Sequence, residues 1–224
     1  MSSGQTLDVT SQASGNGDRL TKAGPSFSRM SDTTSAQNPS KTYSTAGVYD
    51  VSLRATNSAG SNTKVRTGYV SVSPAPPTQT FLPTAAAYAK PSSASSNYGT
   101  DPELRVKTDS TTYRSYLRFN VASLSGPWVI SAKLRLFTTD GSADGGALYP
   151  VATGWTESGL TWSNAYPAGT MLGSTTLVTD TWRELDVTAV VTAPGTCAFS
   201  VINGSNTLSS FSYKGGGYAP LLVT

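Results

Sequence analysis

The sequence predicts an all-β protein, and three observations lead to that prediction. Charged residues make up only 13% of the 224 residues, so little material is available for amphipathic helices. Short apolar segments recur between glycine, proline and asparagine turn signals. The proline-rich segment 72–78 interrupts this pattern, because proline fixes φ and lacks a backbone donor. We therefore expect a C-terminal β-sandwich or jelly roll preceded by a smaller β segment.

The smaller segment contains one clear hairpin. Residues 49–55 alternate between apolar and polar side chains, Asn57-Ser-Ala-Gly60 is a turn signal, and residues 63–72 can return as the second strand. Residues 1–33 are rich in serine, glycine, aspartate and asparagine and lack convincing alternation, so we expect them to be partly irregular.

This hairpin carries a family resemblance. Residues 38–53, with the turn at 57–60 and Val70-Ser-Val72, resemble the C-terminal half of a PKD domain, a small immunoglobulin-like β-sandwich common as a spacer in secreted polysaccharide- and protein-degrading enzymes. The tryptophan-containing strand and Gly-Asp-Gly turn that usually precede this half are absent. We expect residues 1–73 to form a partial or divergent PKD-like domain and residues 74–78 to form a linker.

The larger segment, residues 79–224, is expected to hold a series of strands. Turn signals at short spacing separate them, as is typical of a sandwich or jelly roll. The predicted strand segments are 80–88, 103–107, 115–121, 129–137, 147–151, 183–187, 197–202 and 221–224. Residues 186–192 fit one short helical turn.

Ordered motifs along this segment resemble those of a known family. They are Tyr88 with Asn97-Tyr-Gly99, Leu104-Arg-Val106, Arg114-Ser-Tyr-Leu-Arg-Phe119, Ala132-Lys-Leu-Arg-Leu136, Trp155-Thr-Glu157 with Thr161-Trp162, Asp186-Val-Thr188 and Ala219-Pro-Leu-Leu-Val-Thr224. Together they resemble carbohydrate-binding module family 96, also called the DNRLRE or disaggregatase-related domain. The resemblance implies a jelly-roll sandwich from secreted bacterial or archaeal proteins, with polyuronide binding in some members. Two positions depart from the family pattern, Ala86 and Ser212-Tyr-Lys214.

Strand alternation indicates a binding surface independently of the family. Successive side chains of a strand point to opposite faces of a sheet, so several cations and one tyrosine are expected opposite the core. We call these residues the basic wall: Arg105, Lys107, Tyr116, Lys133 and Arg135. If they neighbour one another, they can bind the carboxylates of an acidic polysaccharide while an aromatic face covers a sugar ring. Further binding candidates are Arg114, Tyr113, Tyr166 and Lys214.

The alternative is that these cations form ordinary ion pairs with Glu157, Glu184 and Asp186 on a solvated face, since residues 78–224 are neutral overall. Arg118 and Glu157 lie inside the most patterned motifs and are expected to be structural.

Aromatic residues and the single cysteine supply further expectations. We expect Trp155 and Trp162 to pack in a core, and Cys197 to be a buried thiol in an apolar run. Four tyrosines in glycine- or threonine-rich loops are expected to be more exposed, namely Tyr113, Tyr166, Tyr213 and Tyr218.

The absence of histidine restricts catalysis. It excludes histidine-containing triads, histidine-brace copper oxidases and most metallohydrolases. The remaining routes are paired carboxylates, such as Glu157 with Glu184 or Asp186, and a Tyr/Lys/Arg set for β-elimination. No cofactor is expected. Asp140 and Asp144 are weak candidate ligands for a structural Ca²⁺, but their segment lacks the regular spacing of a calcium loop, and Asp-Gly turns explain them better.

These observations predict a non-catalytic carbohydrate-binding module that anchors to an acidic, alginate-like polyuronide or to a plant cell-wall glycan. The alternatives are a structural or adhesive sandwich protein and a small carboxylate-dependent polysaccharide-active enzyme. We expect the protein to act outside the cell, although no signal peptide is visible in the chain, and to be fused to or associated with a polysaccharide-degrading enzyme. Neither nucleic acid nor membrane is an expected partner.

Overall fold

The computed structural model describes residues 5–8, 19–21, 33–34, 40–57, 59–124, 126, 129–142 and 145–224. It divides the chain into two compact units, residues 1–76 and residues 77–224. The regular elements in the described ranges are β-strands and two short 3₁₀ turns, which confirms the all-β prediction. No helix in this part of the chain is long and apolar enough to cross a membrane.

The first unit contains the predicted hairpin. Its strands are β1 (Gln5–Asp8), β2 (Arg19–Thr21), β3 (Thr33–Thr34), β4 (Ser40–Tyr43), β5 (Gly47–Asn57) and β6 (Gly60–Val72). β5 and β6 pair in antiparallel register from Gly47↔Val72 to Asn57↔Gly60. Gly60 adopts a φ of +139°, a backbone conformation that glycine tolerates best, and this confirms the turn prediction. Most of residues 1–33, where irregular structure was predicted, lie outside the described residues.

The second unit is a β-sandwich. Its strands are β7 (Thr80–Phe81), β8 (Pro83–Ala89), β9 (Glu103–Val106), β10 (Arg114–Val121), β11 (Lys133–Asp140), β12 (Gly146–Pro150), β13 (Gly173–Thr175), β14 (Thr181–Asp186), β15 (Gly195–Asn203), β16 (Ser209–Ser212) and β17 (Leu221–Val223). The 3₁₀ turns are Pro91–Ser93 and Trp162–Asn164.

Two antiparallel sheets form the layers of this unit. The five-stranded sheet has the order β13-β12-β15-β10-β8. In the six-stranded sheet, one edge of β11 pairs with β14, and its other edge pairs with β17 and then with β16. Beyond these strands, β7 pairs with β17 and β9 pairs with β16. Apart from β12 and β13, strands that pair in this unit are not consecutive along the chain, as in jelly rolls and related sandwiches.

The main core lies between the two sheets. Alternate residues of nearly every strand supply it, for example Leu134 and Leu136 of β11 and Leu117 and Phe119 of β10, all of which are buried. Burying such side chains stabilises the fold by about 1.5–3 kcal/mol each. Cys197 also lies in this core, as predicted, and burial raises the pKa of its thiol to about 11.

A second core covers the outer face of the five-stranded sheet. We call it the outer cluster; its buried members are Ala85, Ala87, Ala89, Tyr116, Trp155, Leu160 and Ala198. The segment between β12 and β13 supplies Trp155 and Leu160 and thereby closes this face of the sheet. The six-stranded sheet therefore presents the more open outer face, and the polar residues of β11 and β14 lie there.

Candidate functional site

Three aromatic rings meet on the outer face of the six-stranded sheet. Phe137 of β11 lies directly opposite Trp182 of β14 in the antiparallel register, and their ring centroids are 5.5 Å apart at an interplanar angle of 70°. The Tyr218 ring stacks on Phe137 with centroids 4.2 Å apart and planes 15° apart, and meets Trp182 edge-on. We call Phe137, Trp182 and Tyr218 the aromatic platform.

Tyr218 is the exposed member of this platform. It lies in the β16–β17 loop and retains 55% of its surface, so one ring face covers Phe137 and the rest of the ring meets solvent. The loop begins with a turn in which the Gly216 amide donates to the Tyr213 carbonyl. A Cβ at Gly216 would lie 2.7 Å from the Ser212 hydroxyl, which would have to rotate away.

Two cations border the platform. Arg135 on β11 lies directly opposite Glu184 on β14 in the antiparallel register. The Arg135 guanidinium lies 4.9 Å from the Trp182 ring centroid. Glu184 accepts a hydrogen bond from Lys133 at 3.3 Å and lies 3.0 Å from Arg135 Nε. Arg135 Nε makes no hydrogen bond, so its contact with Glu184 is electrostatic rather than an aligned donor–acceptor pair.

The other cations of the basic wall lie towards the opposite edge of the same sheet. Arg105 of β9 lies 3.7 Å from an Asp101 oxygen and 3.5 Å from a Glu103 oxygen. Lys107 pairs with Asp109 at 2.8 Å and donates to Thr111. Hydrogen bonds from Lys107 and from the Thr111 amide lower the pKa of Asp109. Both cations are thus engaged with local carboxylates.

The sequence of this unit matches a known family over most of its length. Residues 77–223 match the sequence model of carbohydrate-binding module family 96. The chain belongs to this family. Residues 1–72 match the model of a PKD domain, which agrees with the resemblance of the hairpin.

Comparisons with individual proteins add little to the family 96 assignment. No curated protein matches the chain. One solved structure is described as the structural basis for the promiscuous specificity of carbohydrate-binding modules from the β-sandwich superfamily, and it is 15% identical. The match covers 92% of this chain and 82% of that chain with a TM-score of 0.26, a value too low to relate the two folds.

Several motif residues that carry the family 96 resemblance are structural in the module. The Asn97 amide donates to the carbonyl oxygens of Glu157 and Leu160, at 2.7 Å in both cases. A Cβ on Gly99 would lie 2.4 Å from the Glu157 carbonyl oxygen, so only glycine permits this close approach. Arg118 donates to the Trp155 carbonyl oxygen. The predictions that Arg118 and Glu157 are structural are therefore consistent with their contacts in the module.

The Glu157 carboxylate joins three parts of the module. It accepts hydrogen bonds from the Ala86 amide at 3.1 Å and from the Tyr213 hydroxyl at 2.8 Å, and it pairs with Lys214. Burial opposes the ionisation of Glu157, but the bonds from Lys214, Tyr213 and Ala86 outweigh it and lower the pKa of Glu157. Burial and the bond to Glu157 raise the pKa of Tyr213 to about 12. Lys214 and Tyr213 thus have structural partners, and Tyr213 is half-buried rather than exposed.

The remaining predicted binding residues lie on the five-stranded sheet or beside it, and they include Tyr116, which was predicted to belong to the basic wall. Tyr116 retains only 1% of its surface because it packs in the outer cluster against Trp155, so its predicted exposure is wrong. Arg114 begins β10 of the same sheet and lies 4.9 Å from the Trp162 ring centroid. Tyr166 is half-buried against the outer cluster. Tyr113 is half-buried near the start of β10, where it bridges to Lys107.

The cations of the basic wall lie beside carboxylates, so this surface is less basic than predicted. Three of its members, Arg105, Lys133 and Arg135, do share the outer face of one sheet. Each is close to a carboxylate, because the acidic residues of β9, β14 and the adjoining loops lie beside them in the sheet. The alternative of cross-strand ion pairs is correct for Lys133 and Arg135 with Glu184, and the expectation of an unpaired cationic surface is wrong.

The remaining candidates concern metals and catalysis. Asp140 is exposed at the end of β11, and Asp144 lies outside the described residues, so the calcium site stays a prediction. Among the described residues of the module, no group of three metal-ligating side chains is found. Glu157 is held by Ala86 and the β16–β17 loop, whereas Glu184 and Asp186 lie on β14 among Lys133 and Arg135. Glu157 and the two carboxylates of β14 therefore have different partners.

Proposed function

We propose that the protein is a non-catalytic carbohydrate-binding module that anchors to an acidic polysaccharide through the outer face of its six-stranded sheet. The observation that carries this proposal is the exposed Tyr218 ring, which is supported from beneath by Phe137 and flanked by Trp182. Aromatic faces pack well against the C–H surface of a pyranose ring and lose little conformational freedom on binding.

The charges next to the platform support the acidic part of the proposal. Lys133 and Arg135 share the single carboxylate of Glu184, and these side chains retain 40%, 33% and 44% of their surface. Exposed ion pairs of this kind contribute only about 0–1 kcal/mol, so a uronate carboxylate can compete with Glu184. Charge-assisted bonds from Lys133 and Arg135 to the ligand would then orient a sugar ring that lies on Tyr218.

The ionisation of the carboxylates supports a non-catalytic role. Glycoside hydrolysis requires one carboxyl group that holds a proton near neutral pH while a second is ionised. The pKa of Glu157 is lowered by its three hydrogen-bonding partners, and bonds from the Thr188 amide and hydroxyl lower the pKa of Asp186. These shifts run opposite to those of a general acid.

The setting of the module is part of the same proposal. A PKD-like unit precedes it, which suits a protein that acts outside the cell and is fused to or associated with a polysaccharide-degrading enzyme of bacterial origin. Under this proposal the module keeps its partner enzyme near an alginate-like or plant-derived glycan.

Affinity electrophoresis tests the function. Gels containing alginate, pectin or a neutral β-glucan are run at low and high salt with the full chain, with Tyr218→Ala and with Tyr69→Ala. Tyr69 is a matched control, because it is an exposed tyrosine of the first unit with 50% of its surface accessible. We expect salt-sensitive retardation by the polyuronates, weakened about tenfold in Tyr218→Ala and unchanged in Tyr69→Ala.

Other outcomes identify other functions. Retardation by the β-glucan alone would exclude an acidic ligand, but it would still be consistent with sugar binding at the aromatic platform. Indifference to every glycan would favour a structural or adhesive sandwich, and release of reducing ends would show an enzyme.

A further inference from the structure

Arg114 is a cation of the second unit without a carboxylate partner. It begins β10, and neither aspartate nor glutamate occurs in the five strands of its sheet. No carboxylate of the described residues lies within 4.0 Å of its guanidinium, unlike the cations beside the aromatic platform. The acidic residues of the adjoining segments are engaged elsewhere, since Asp109 pairs with Lys107 and Glu157 pairs with Lys214. The positive charge of Arg114 is therefore not neutralised locally.

The Arg114 side chain lies on the outer side of the five-stranded sheet. Residues two apart on a strand share a face, so Arg114 shares its face with Tyr116, a member of the outer cluster. Trp162 packs on the same cluster, and the Arg114 guanidinium lies 4.9 Å from its ring centroid. Burial raises the pKa of Tyr116, and the nearby positive charge of Arg114 opposes this rise. Separate contacts thus place the guanidinium beside both Trp162 and Tyr116.

Buried polar atoms next to these rings lack partners. Arg114 Nε and Ser200 Oγ are buried without a hydrogen bond of acceptable geometry to any described residue. Ser200 lies directly opposite Tyr116 in the β10–β15 register and is 1% exposed. Buried polar groups are normally hydrogen-bonded, and an exception often marks a site for water or an ion. This part of the outer face therefore has hydrogen-bonding capacity that the chain itself does not use.

Arg114 is free to bind an anion without breaking an ion pair. Its contact with Trp162 orients the guanidinium but leaves the positive charge and the N–H groups available. Arg135, in contrast, lies 3.0 Å from Glu184 and must release it before binding a ligand carboxylate. A guanidinium can donate to two oxygens of a carboxylate or a sulfate at once.

The surface beside Ser200 suits a sugar ring. Tyr149 of β12 lies directly opposite Ser200 and is half-buried, so part of its side chain remains accessible on the outer face. An aromatic ring near a charged donor matches a pyranose that carries an acidic group.

We propose that Arg114, Tyr116, Ser200 and Trp162 form a second binding site for an anionic group of a polysaccharide, either a carboxylate or a sulfate ester. We call it the Arg114 site. Arg114 binds the anion, Trp162 orients the guanidinium, and the Tyr116 and Ser200 hydroxyls supply further donors. The proposal rests on the proposed function in that the ligand is a polysaccharide, and it goes beyond that function by giving the module two contact surfaces.

The Arg114 site and the aromatic platform lie on different sheets. The Arg114 site is on the outer side of the five-stranded sheet, and the platform is on the outer side of the six-stranded sheet. The two sheets enclose the main core between them. One module can therefore hold two polysaccharide segments at once.

Calorimetric titration of the full chain tests the Arg114 site. The probes are alginate oligosaccharides for carboxylates, dextran sulfate oligosaccharides for sulfate esters, and neutral β-glucan oligosaccharides, each at low and high salt. The variants are Arg114→Gln, Arg114→Lys and Tyr218→Ala, with Lys90→Gln as the control.

Lys90 is a matched control for Arg114. It is also a half-buried cation that contacts aromatic rings, with its ammonium 4.9 Å from the Tyr98 centroid and 5.6 Å from the Tyr113 centroid. Both rings pack against Tyr88, which alternates with residues of the outer cluster along β8 and so faces the other side of the sheet. Lys90→Gln thus makes the same change in net charge away from the Arg114 site.

We expect two binding events for one anionic probe in the unaltered chain. Arg114→Gln should lose one event, with at least about a tenfold loss in affinity and a smaller salt dependence, because a charge-assisted contact disappears. Arg114→Lys keeps the charge but not the planar fork, so it should weaken this event and keep its salt dependence. Tyr218→Ala should lose the other event, and Lys90→Gln should lose neither. The probe whose event disappears in Arg114→Gln identifies carboxylate or sulfate as the bound group.

The possible failures can be told apart. If Tyr218→Ala abolishes all binding and Arg114→Gln binds like the unaltered chain, the Arg114 site is wrong and the proposed function stands. If Arg114→Gln abolishes all binding and Tyr218→Ala has no effect, the Arg114 site is supported and the platform is wrong. Equal losses in Arg114→Gln and Lys90→Gln would show a general charge effect and overturn the Arg114 site.

Two further outcomes complete the test. If Arg114→Gln does not fold, Arg114→Lys decides, and an unchanged affinity in that variant overturns the Arg114 site. If no probe binds to the unaltered chain, both proposals are overturned.

Discussion

Arg135 and Glu184 face each other across β11 and β14, with 3.0 Å between Arg135 Nε and a Glu184 oxygen. Glu184 also binds Lys133, so one carboxylate restrains two cations beside the aromatic platform. Under the proposed function, Glu184 occupies the place that a ligand carboxylate would take. The affinity of the module for a polyuronate would then be set by competition between Glu184 and the ligand for the same two cations.

Removing this competitor should strengthen binding. We expect Glu184→Gln to raise the affinity for alginate oligosaccharides severalfold at low salt, with the gain lost at high salt, because the two cations lose their internal partner. The control is Glu103→Gln, which makes the same change in net charge beside Arg105, where Asp101 remains as a partner. An equal gain in both variants, measured by calorimetry, would show a general charge effect and contradict a site at Lys133 and Arg135.

The Glu157 network should make stability depend on pH. The pKa of Glu157 is lower in the folded chain than its unfolded value of about 4.3, so the ionised group stabilises the fold above that pH. This contribution is lost as the pH falls through the folded pKa. We expect Glu157→Gln to lower the free energy of unfolding at pH 7 by roughly 1.5–3 kcal/mol and to flatten its acid dependence.

Urea unfolding of the full chain between pH 7 and pH 3 measures this effect. Asp140→Asn is the control, because Asp140 is exposed at the end of β11. Parallel acid profiles for Glu157→Gln and the unaltered chain would show that the bonds from Lys214, Tyr213 and Ala86 do not stabilise the ionised form.

Gly99 should tolerate no side chain. An added Cβ would lie 2.4 Å from the Glu157 carbonyl oxygen and 2.7 Å from Glu157 Cγ, so the Asn97–Gly99 segment or Glu157 would have to move. We expect Gly99→Ala to destabilise the fold by about 2 kcal/mol or more, a size typical of strained core substitutions. Gly204→Ala is the matched control, since a Cβ there meets nothing within 4 Å. Similar melting temperatures for the two variants would contradict this close contact.

The strands with strong alternation could be predicted from the sequence, and those with weak alternation could not. β11 and β10 combine apolar and charged residues at every second position, and both occur where expected. The predicted segment 129–137 begins as a strand only at Lys133, because the Thr188 hydroxyl takes the Ala132 amide. β13 and β16 were missed, since Gly-Ser-Thr and Ser-Ser-Phe-Ser carry almost no apolar pattern and owe their strand structure to their neighbours.

The candidate site was less predictable, because it depends on which strands become neighbours. Alternation correctly placed Lys133 and Arg135 on the outer face of β11. Alternation also predicted that Tyr116 faces solvent, but the segment that contains Trp155 covers the outer side of the five-stranded sheet and buries Tyr116. The pairing of Phe137 with Trp182 follows from the β11–β14 register, and no local pattern indicates it. Tyr218 was expected to be exposed from its glycine-rich loop, and its 55% exposure confirms this.

The β16–β17 loop holds two kinds of residue whose roles depend on each other. Tyr213 and Lys214 fasten its first part to Glu157, and Tyr218, further along, offers its ring to solvent. The ring is therefore carried by a loop that is anchored at one end. We expect substitutions of Glu157, which is not part of the aromatic platform, to weaken glycan binding even in molecules that still fold.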